Sequence, residues 1–262
     1  MPLPSEIYDR GYFLSNYCEG AQEFLADRGL SVLKARQVDA LGPGPGVRVL
    51  DAGCGRGEVM LACARAGSTV AGIDYAEAAV EIARETLAGV PGADVRRGSV
   101  DELPWGDAAF DRILCGDVIE HLDPDQADRA LKEFRRVLAP GGLLLLHTSP
   151  NKLFRTITWP LARPILKLAG FKRNVEGLDF WLGEALRFHV NEQTVHSLRR
   201  ALRAAGFPRA RVWLDPNVIR GGGHHLTEGL ETSPLVRAVA KLAALRPLRL
   251  LLSNDLYATA RR

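Results

Sequence analysis

Residues 49–57 read VLDAGCGRG, and this stretch decides the fold of the 262-residue chain. An apolar strand runs into an acidic residue, three glycines follow at alternate positions, and a helical pattern begins at Glu58. Glycine lets the backbone turn sharply and lets a ligand come close to the main chain. The helix behind the turn offers unpaired N–H groups at its N-terminus. The stretch therefore predicts a ligand-binding turn at the end of the first strand.

The glycine spacing separates two kinds of adenosine-cofactor site. A dinucleotide fingerprint requires G-x-G-x-x-G, but the sixth position counted from Gly53 is Glu58. A carboxylate at that position is also unfavourable beside a pyrophosphate. The D-x-G-x-G-x-G pattern that begins at Asp51 instead resembles the first motif of class I S-adenosylmethionine (SAM)-dependent methyltransferases. Their cofactor carries a cationic sulfonium and an amino-acid tail, so it tolerates nearby acids.

Length and composition fit a single α/β domain with additions. Hydrophobic residues make up 47% and charged residues 25% of the chain, and the net charge of +3 is too small to indicate a nucleic-acid partner. The four cysteines, at positions 18, 54, 63 and 115, show no C-x-x-C spacing. Together with the lack of a leader-like start, this predicts reduced thiols and a cytoplasmic protein. No apolar run reaches the roughly 18 residues that a membrane span needs.

Strands and helices alternate along the chain as far as residue 148, and the strands are almost continuously apolar. This pattern predicts an α/β fold with a doubly wound, parallel sheet that is buried on both faces. The resemblance implies the seven-stranded, mostly parallel sheet of the Rossmann-like methyltransferase type. The predicted strands are residues 48–52, 69–74, 93–97, 110–115, 143–148, 209–215 and 256–260. The predicted helices are 19–41, 58–66, 76–87, 125–138 and 191–205, with a turn at 139–142 and Asn191 as the N-cap of the last helix.

The predicted organisation is an N-terminal helical lid over residues 1–46 and a methyltransferase domain over residues 47–262. Within the domain, insertions are expected at about 150–188 and 216–250. The lid is rich in aromatic residues, and Tyr8, Tyr12 and Tyr17 could close over a sulfonium, because ring faces attract cations. The alternative is that these tyrosines only pack an additional helix.

The resemblance covers residues 47–150 best and implies a set of cofactor contacts. Asp74 at the end of the second strand is expected to accept hydrogen bonds from both ribose hydroxyls, and Asp51 is expected to shape the glycine turn. The segment GSVDELPW at 98–105 is similar to the one that frames the adenine, where the Val100 N–H meets a ring nitrogen and Asp101 or Ser99 accepts from the amino group.

The segment FDRILCGDVIEHL at 110–122 resembles the fourth-strand motif of the family, which places Cys115 and Gly116 at the methionine end of the cofactor. His121 is expected beside the cofactor. The segment VLAPGG at 137–142 is similar to the turn into the fifth strand of the family. The cofactor-binding residues implied by the resemblance are Asp51, Gly53, Cys54, Gly55, Asp74, Tyr75, Ser99, Val100, Asp101, Cys115, Gly116 and His121.

Methyl transfer needs alignment of the acceptor with the methyl group, and a base only where the acceptor loses its proton early. Asp117 and His189 are the predicted catalytic residues, whereas His121, His147 and Asn151 are further polar candidates. A buried structural histidine is the alternative for His189. The sequence CGDV stands after the fourth strand where an N-P-P-Y-like motif would indicate amino-methylation of nucleobases or glutamine. No metal site is expected, because His224 and His225 are adjacent residues in a glycine-rich loop.

Two cationic, apolar segments, residues 152–173 and 233–253, are candidates for peripheral membrane contact. In the first, one helical row carries apolar residues, the nearly opposite row carries basic residues and Trp159, and Pro160 and Pro164 would kink or divide the helix. The alternative is a helical cap over the acceptor pocket with a solvated basic face. The apolar row is Leu153, Ile157, Leu161 and Ile165, and the opposite row is Arg155, Trp159, Arg163 and Lys167.

The order of the motifs and the insertion after the fifth strand resemble small-molecule methyltransferases of ubiquinone and menaquinone biosynthesis. The resemblance implies SAM-dependent transfer of a methyl group to an oxygen, nitrogen or carbon atom of a small or lipid-linked acceptor. One hypothesis places this reaction at a membrane surface. The alternatives are a soluble methyltransferase of sugars or secondary metabolites and a non-catalytic cofactor-binding protein. No nucleic-acid partner is expected, because the basic residues alternate with leucine rather than with exposed aromatic residues.

Overall fold

The computed structural model describes residues 5–15, 18–215, 241 and 248–262. The strands β1–β7 of this part are Arg48–Ala52, Thr69–Asp74, Asp94–Arg97, Phe110–Gly116, Leu138–Thr148, Arg211–Leu214 and Leu256–Arg261. The helices α1–α10 are Arg10–Leu14, Ala21–Leu25, Val32–Leu41, Glu58–Arg65, Glu77–Thr86, Pro124–Val137, Trp159–Leu168, Lys172–Phe188, Val195–Ala204 and Arg249–Leu252. Short 3₁₀ turns span Ser5–Ile7 and Ile119–His121, and a π-helical turn spans Phe154–Thr158.

The described strands form one seven-stranded sheet in the order β3-β2-β1-β4-β5-β7-β6. All neighbours are parallel except β7, which runs antiparallel to both β5 and β6. This confirms the predicted doubly wound, mostly parallel sheet. The strand order reverses between β1 and β4, and ligands of such sheets bind outside the carboxyl ends of the strands at this point.

Both faces of the sheet are buried, as the apolar strands predict. Leu50 and Ile113 belong to a core formed with α6 and α9, whereas their neighbours Val49 and Leu114 belong to a second core formed with α3 and α4. Successive residues of a strand point to opposite faces, so each central strand supplies both cores. The central strands are therefore fixed from both sides, and their carboxyl ends form a rigid base for a site.

Two predicted boundaries near the sheet are wrong. The expected helix at 19–41 is divided into α2 and α3, and α3 begins after Ser31, whose Oγ accepts a hydrogen bond from the Lys34 N–H at 3.3 Å. The expected turn at 139–142 instead lies inside β5, where the pairing with β4 shifts register between Phe110 and Arg112. Gly141, at φ +77°, allows this bulge without breaking the strand.

The predicted N-cap Asn191 is also wrong, because α9 begins four residues later than expected, at Val195. Thr194 is the cap: its hydroxyl accepts from the Ser197 N–H at 3.0 Å, and the Ser197 hydroxyl accepts from the Thr194 N–H at 2.8 Å. This reciprocal pair is a capping box and satisfies two otherwise unpaired donors. The Asn191 N–H donates instead to the carbonyl of Glu120 at 3.0 Å.

The first insertion consists of the π-helical turn, α7 and α8. Pro160 lies in the first turn of α7, where a missing N–H costs little, and Pro164 lies inside the helix. Ile157, Leu161 and Ile165 of the apolar row are exposed, and Leu168 extends the exposed surface at 91% exposure. The apolar row of α7 therefore faces outward.

The opposite row of α7 makes the contacts with the rest of the protein. Trp159 is buried and donates from Nε1 to Asp179 at 2.9 Å, and Arg163 pairs with the same carboxylate at 2.8 Å. Arg155 pairs with Glu192 at 2.6 Å, where the Glu192 side chain is only 4% exposed. The basic residues of this row therefore have acidic partners, while the Arg163 side chain remains 49% exposed.

Several expectations lie outside the described residues: Tyr17, His224, His225, and the parts of the second insertion at 216–240 and 242–247. Most of the second cationic segment, 233–253, falls in this range. Within the described part, no helix combines the length and the hydropathy needed to cross a bilayer.

Candidate active site

The glycine turn lies at the carboxyl ends of β1 and β2. Gly53 and Gly55 have φ values of +87° and +50°, a region that favours glycine. The N–H groups of Gly53 and Cys54 donate to the carbonyl of Ile73, and the Gly55 N–H donates to the Asp74 carboxylate at 3.0 Å. A Cβ on Gly53 would lie 2.2 Å from a methyl group of Val118, so the turn is also closed from the β4 side.

Asp74 organises the turn through both oxygens of its carboxylate. One oxygen accepts from the Gly55 N–H, and the other accepts from the Ala76 N–H at 3.0 Å. Burial raises the pKa of Asp74 to about 6, against the hydrogen bonds from the backbone of Ala76, Gly55 and Tyr75. The ribose contact predicted for Asp74 stays a prediction, and the structure adds a second role, because the same carboxylate holds the glycine turn against the next helix.

A buried charged network lies beneath the turn. Arg56 is 2% exposed and pairs with Glu58 at 2.5 Å, and Lys34 of α3 pairs with the same carboxylate at 2.6 Å. Burial disfavours the charged form of Glu58, but Lys34 and Arg56 outweigh it and hold its pKa below the ordinary value. Burial raises the pKa of Asp51 to about 8, with Lys34 opposing the rise. Sequence reasoning missed Lys34 and Arg56, because neither occupies a glycine or acid position of the motif.

Arg56 also joins the glycine turn to the N-terminal segment. Its guanidinium donates to the carbonyl oxygens of Phe13 and Glu19, both at 2.6 Å, and lies over the ring of Phe24 at 5.3 Å from the centroid. All of these partners belong to the predicted lid. The predicted lid is therefore anchored to the glycine turn.

Aromatic side chains pack the N-terminal segment against the end of the sheet. Tyr8 is 5% exposed, and its hydroxyl lies 3.0 Å from Nδ1 of His121. Its ring makes edge contacts with Tyr12 and Tyr75 at centroid distances of 4.9 and 5.5 Å and a tilted contact with Phe188 at 5.8 Å. The structure thus brings together the predicted residues Tyr8, Tyr12, Tyr75 and His121, and the lid function of the tyrosines stays a prediction.

His189, one predicted catalytic residue, lies against His121 with ring centroids 4.7 Å apart. Burial lowers the pKa of His189 to about 3, and the neighbouring His121 lowers it further. Burial likewise lowers the pKa of His121 to about 4. Both imidazoles are therefore neutral at physiological pH, and Nδ1 of His189 is buried without a hydrogen-bond partner. A neutral imidazole whose Nδ1 makes no hydrogen bond within the protein can hydrogen-bond to the molecule that receives the methyl group.

Asp117, the other predicted catalytic residue, follows β4 and lies beside His147 of β5. The two side chains form an ion pair at 2.9 Å, in which His147 is 1% exposed and the Asp117 side chain is 38% exposed. Asp255, which directly precedes β7, lies 3.9 Å from the other imidazole nitrogen. Sequence reasoning identified His147 as a polar candidate and missed Asp255, because β7 reaches the site only through its antiparallel pairing with β5.

The segment expected at the adenine carries internal contacts. The Ser99 hydroxyl hydrogen-bonds to one Asp101 oxygen, and Arg129 pairs with the other at 2.7 Å. Val100 is 5% exposed and belongs to the core. The adenine contacts of these residues stay predictions, and Arg129 is a neighbour that the sequence motif did not reveal.

Cys115 and Gly116 end β4 at the switch point. The Cys115 side chain is buried in the core, and a Cβ on Gly116 would lie 3.4 Å from Nε2 of Gln37. Nε2 of Gln37 is buried without a hydrogen-bond partner. Gln37 therefore adds a polar donor beside the expected methionine end, which sequence reasoning missed because α3 precedes every recognised motif. All four cysteines are free thiols in the structure.

Glu120, His121 and His189 are the described residues whose arrangement comes nearest to a metal site. Each offers one ligand atom, and these atoms lie within 4.8 Å of one another. Nδ1 of His121 already contacts the Tyr8 hydroxyl and lies 3.2 Å from the carbonyl of Phe188. The expectation that no metal is bound stays a prediction.

Asn151 has a structural role: its amide donates to the carbonyls of Leu250 and Ser253 and ties the insertion to α10.

Comparison with known proteins identifies the family. A sequence profile described as "Methyltransferase domain" matches residues 50–146. The chain is 31% identical over 189 residues to a demethylmenaquinone methyltransferase of Staphylococcus aureus (strain JH9), covering 69% of this chain and 76% of that protein. The chain belongs to the SAM-dependent methyltransferases. It is also 33% identical to a ubiquinone biosynthesis O-methyltransferase of Paracidovorax citrulli over 148 residues, which is 55% of this chain and less than two thirds (61%) of that protein.

A solved structure gives the same fold for this methyltransferase. Phosphoethanolamine N-methyltransferase 2 of Haemonchus contortus, in complex with SAM, aligns with a TM-score of 0.62 at 15% identity, over 99% of this chain and 57% of the other. The cofactor is SAM, and the residues at the switch point fit it. Asp74 ends β2 and Asp117 directly follows β4, so ionised carboxylates lie at the carboxyl ends of these strands, where they favour a cationic sulfonium.

Proposed function

We propose that this methyltransferase acts on a small or lipid-linked acceptor that it takes from a membrane surface. The observation that carries the proposal is the outward-facing apolar row of α7. Exposed apolar surface of this kind marks contact with a partner or a membrane. The names of the relatives favour an aromatic quinone precursor as the acceptor, because one is a ubiquinone biosynthesis O-methyltransferase and the other a demethylmenaquinone methyltransferase.

The charges around α7 favour an anionic membrane surface. The apolar ridge, defined as Ile157, Leu161, Ile165 and Leu168, is 43–91% exposed. Exposed Lys152 precedes it and exposed Lys172 and Arg173 follow it, and residues 152–175 contain no acid. A helix that lies in a bilayer interface combines an apolar face with flanking cations that attract anionic lipids.

The chemistry at the strand ends follows from the residues already placed. When bound, SAM supplies a methyl group whose bond to sulfur breaks as the bond to the acceptor forms, with the electron pair passing to sulfur. Asp74 and the glycine turn orient the cofactor, and the Tyr8–His121 contact closes the site from the lid side. Asp117 and His189 provide an exposed carboxylate and a neutral imidazole toward the acceptor. Alignment is the main contribution of the protein to such a displacement.

Transfer itself is tested with methyl-labelled SAM and two probe acceptors, a short-chain demethylmenaquinol and a catechol, in vesicles and in buffer. The proposal expects labelled product, with higher turnover when the acceptor is presented in anionic vesicles. Equal turnover in buffer would support the alternative of a soluble small-molecule methyltransferase. Absence of any labelled product with tight SAM binding would instead support the non-catalytic alternative.

The cofactor assignment of Asp74 is tested by calorimetric titration of Asp74→Asn with SAM. Loss of a charged hydrogen-bond acceptor is expected to weaken binding by about 1–3 kcal/mol. Glu77→Gln is the matched control, because Glu77 lies in the first turn of α5 and its carboxylate pairs with Arg97 on the surface. Unchanged affinity in Asp74→Asn would show that the ribose assignment is wrong.

Membrane contact is tested by flotation with vesicles of phosphatidylglycerol and phosphatidylcholine. Leu161→Asp/Ile165→Asp is expected to lower vesicle binding about tenfold or more, because each change places a carboxylate in the exposed apolar face that the proposal inserts into the membrane. Leu25→Asp/Val32→Asp is the control, since these residues have similar exposure, 61% and 63%, on a different surface. Arg155 is unsuitable for the test, because its removal would leave Glu192 buried and unpaired. Failure of the wild-type protein to float would remove the membrane from the proposal.

A further inference from the structure

His147 holds the Asp117 backbone at the end of the sheet. Gly116 pairs with His147 in the β4–β5 register, and the N–H of Asp117 donates to the carbonyl of His147 at 3.1 Å. Asp117 then leaves the strand in the left-handed region, at φ +53°. Non-glycine residues are uncommon in this region, and those that are held there cluster at functional sites.

The side chains of the same two residues are in contact, and their exposure differs. Nδ1 of His147 lies 2.9 Å from Oδ1 of Asp117, and Nε2 lies 3.9 Å from Oδ1 of Asp255. The imidazole is almost fully buried beside the ring of Tyr257, at a centroid distance of 4.6 Å, whereas the Asp117 carboxylate is partly exposed. Asp117, His147 and Asp255 therefore form a row in which the Asp117 carboxylate is partly exposed to solvent. Asp255 lies on the other side of the buried His147 imidazole.

The charges in this row are complementary. Burial alone would lower the pKa of His147, but Asp117, Asp255 and Glu120 outweigh it and raise the pKa to about 9. Burial disfavours ionised Asp117, yet His147, Lys34 and His121 hold its pKa below the ordinary value. Burial raises the pKa of Asp255 to about 7, against the effect of His147 and together with Asp117, Asp215 and Glu19. At neutral pH the pair is imidazolium and carboxylate.

We propose that His147 is a positioning residue, backed by Asp255, that holds the Asp117 carboxylate toward the acceptor side of the cofactor site. This inference rests on the proposed function, because it assigns Asp117 the acceptor contact. The carboxylate accepts the hydrogen bond of the acceptor O–H or N–H and so orients its lone pair toward the methyl group. As the acceptor is methylated, its proton passes to the Asp117 oxygen and then to water, because Asp117 is partly exposed. The carboxylate is thereby restored.

The direct test measures the ionisation of Asp117 by NMR in protein labelled with ¹³C at the aspartate carboxyl group, with the signal assigned through Asp117→Asn. The wild-type carboxyl group is expected to titrate below the ordinary value of about 3.9, and at or above that value in His147→Gln. His196→Gln is the control, because His196 is exposed on α9. An Asp117 titration that is the same in His147→Gln and in wild type would overturn the proposal.

The second measurement separates positioning from folding. With a probe acceptor that is turned over, kcat of His147→Gln is expected to fall about tenfold to a hundredfold, with the acid limb of the pH profile moved to higher pH. The KM for SAM should stay unchanged, which shows that the cofactor site is intact. His147→Asn, which retains a donor near the Nδ1 position, is expected to recover part of kcat without recovering the acid limb.

The outcomes distinguish this inference from the proposed function. If the pKa of Asp117 is higher in His147→Gln than in wild type but no probe acceptor is turned over, the proposed function is removed and the positioning by His147 is left intact. Normal turnover with equal pH profiles in wild type and His147→Gln would do the opposite. Loss of SAM binding in both His147→Gln and His147→Asn would show that the histidine is required for the fold of the site rather than for positioning Asp117, and would overturn the inference.

Discussion

At the glycine turn the charged side chains are buried and paired, whereas along α7 the apolar side chains face outward. Arg56, Glu58 and Lys34 form a network under the turn that is shielded from water, and the turn is fixed to β2 and to the N-terminal segment. In α7 the apolar ridge is exposed, while Trp159 and the basic residues make the contacts with α8 and with Glu192. The charged groups at the turn therefore have their partners within the protein, whereas the apolar ridge is available for contact with a partner.

Because of this difference, removal of a side chain should affect different properties in the two regions. A buried charge that loses its partner is costly, because the remaining charge cannot be solvated. An exposed ion pair contributes little, since water replaces the partner. Substitutions at the turn should therefore change stability and cofactor binding, whereas substitutions on the outer side of α7 should change only contact with a partner.

The largest expected effect comes from Arg56→Ala. This change leaves the Phe13 and Glu19 carbonyls without their donor and leaves the buried Glu58 carboxylate with Lys34 in place of two cationic partners. We expect the free energy of unfolding to fall by about 3–5 kcal/mol in urea titrations. Arg65→Ala, at an exposed position on α4, is the control and should change it by less than about 0.5 kcal/mol. Similar losses of unfolding free energy in the two variants would show that the buried network stabilises the protein no more than an exposed arginine does.

Gly53→Ala should have the next largest effect. Its φ of +87° is unfavourable for alanine, and the new methyl group would lie 2.2 Å from Val118 before relaxation. Strain and overpacking together should cost about 2–4 kcal/mol of stability, and calorimetry should show SAM affinity reduced about tenfold or more. Gly89→Ala is the control, because its added Cβ meets nothing within 4 Å. Full SAM affinity in Gly53→Ala would contradict the role of the turn.

The buried titratable groups predict a loss of stability as the pH rises from about 6.5 to 9. In the fold, Asp51 and Glu120 keep protons to about pH 8, mainly because they are buried, and Asp255 keeps its proton to about pH 7 for the same reason. His147, buried but paired with acids, keeps its proton to about pH 9. In the unfolded chain the three carboxyl groups are ionised by about pH 6.5 and the histidine loses its proton around that pH, so the folded state binds more protons in this window and stability falls with rising pH.

The expected decrease is about 1–4 kcal/mol per pH unit, because each proton that the fold retains contributes about 1.4 kcal/mol per pH unit, and it is measured by urea unfolding at intervals across this window. The lowered pKa values of His121 and His189 act below pH 6.5 and so do not oppose it. His147→Gln should make the decrease smaller, since one of the retained protons is removed. A stability that is constant or rises with pH would mean that these groups ionise in the fold as they do in the unfolded chain.

The smallest expected effect is that of Arg163→Ala on α7. The Arg163 side chain is 49% exposed, and its partner Asp179 keeps the hydrogen bond from Trp159. We expect a change in unfolding free energy of less than about 1 kcal/mol. A loss comparable to that of Arg56→Ala would remove the distinction between the two regions.

The sequence determined the sheet and the glycine turn, because their signals are local. Apolar strands, glycines at alternate positions and an acid at the end of β2 are each read from a few neighbouring residues, and the matched family confirms the fold and the cofactor. Boundaries failed where a longer-range contact decided them. The bulge in β5 depends on pairing with β4, and the cap at Thr194 left Asn191 to bond with Glu120.

Only the tertiary structure decided the orientation of α7 and the surroundings of Asp117. The helical rows of α7 follow from spacing alone, but which row faces outward depends on Glu192 and Asp179, acids that lie elsewhere in the chain. In the same way, Asp117, His147 and Asp255 are brought together by the order of β4, β5 and β7, and Arg56 meets the lid across more than thirty residues of chain. Periodicity reports a local pattern, whereas the partner of a charge is set by packing between distant segments.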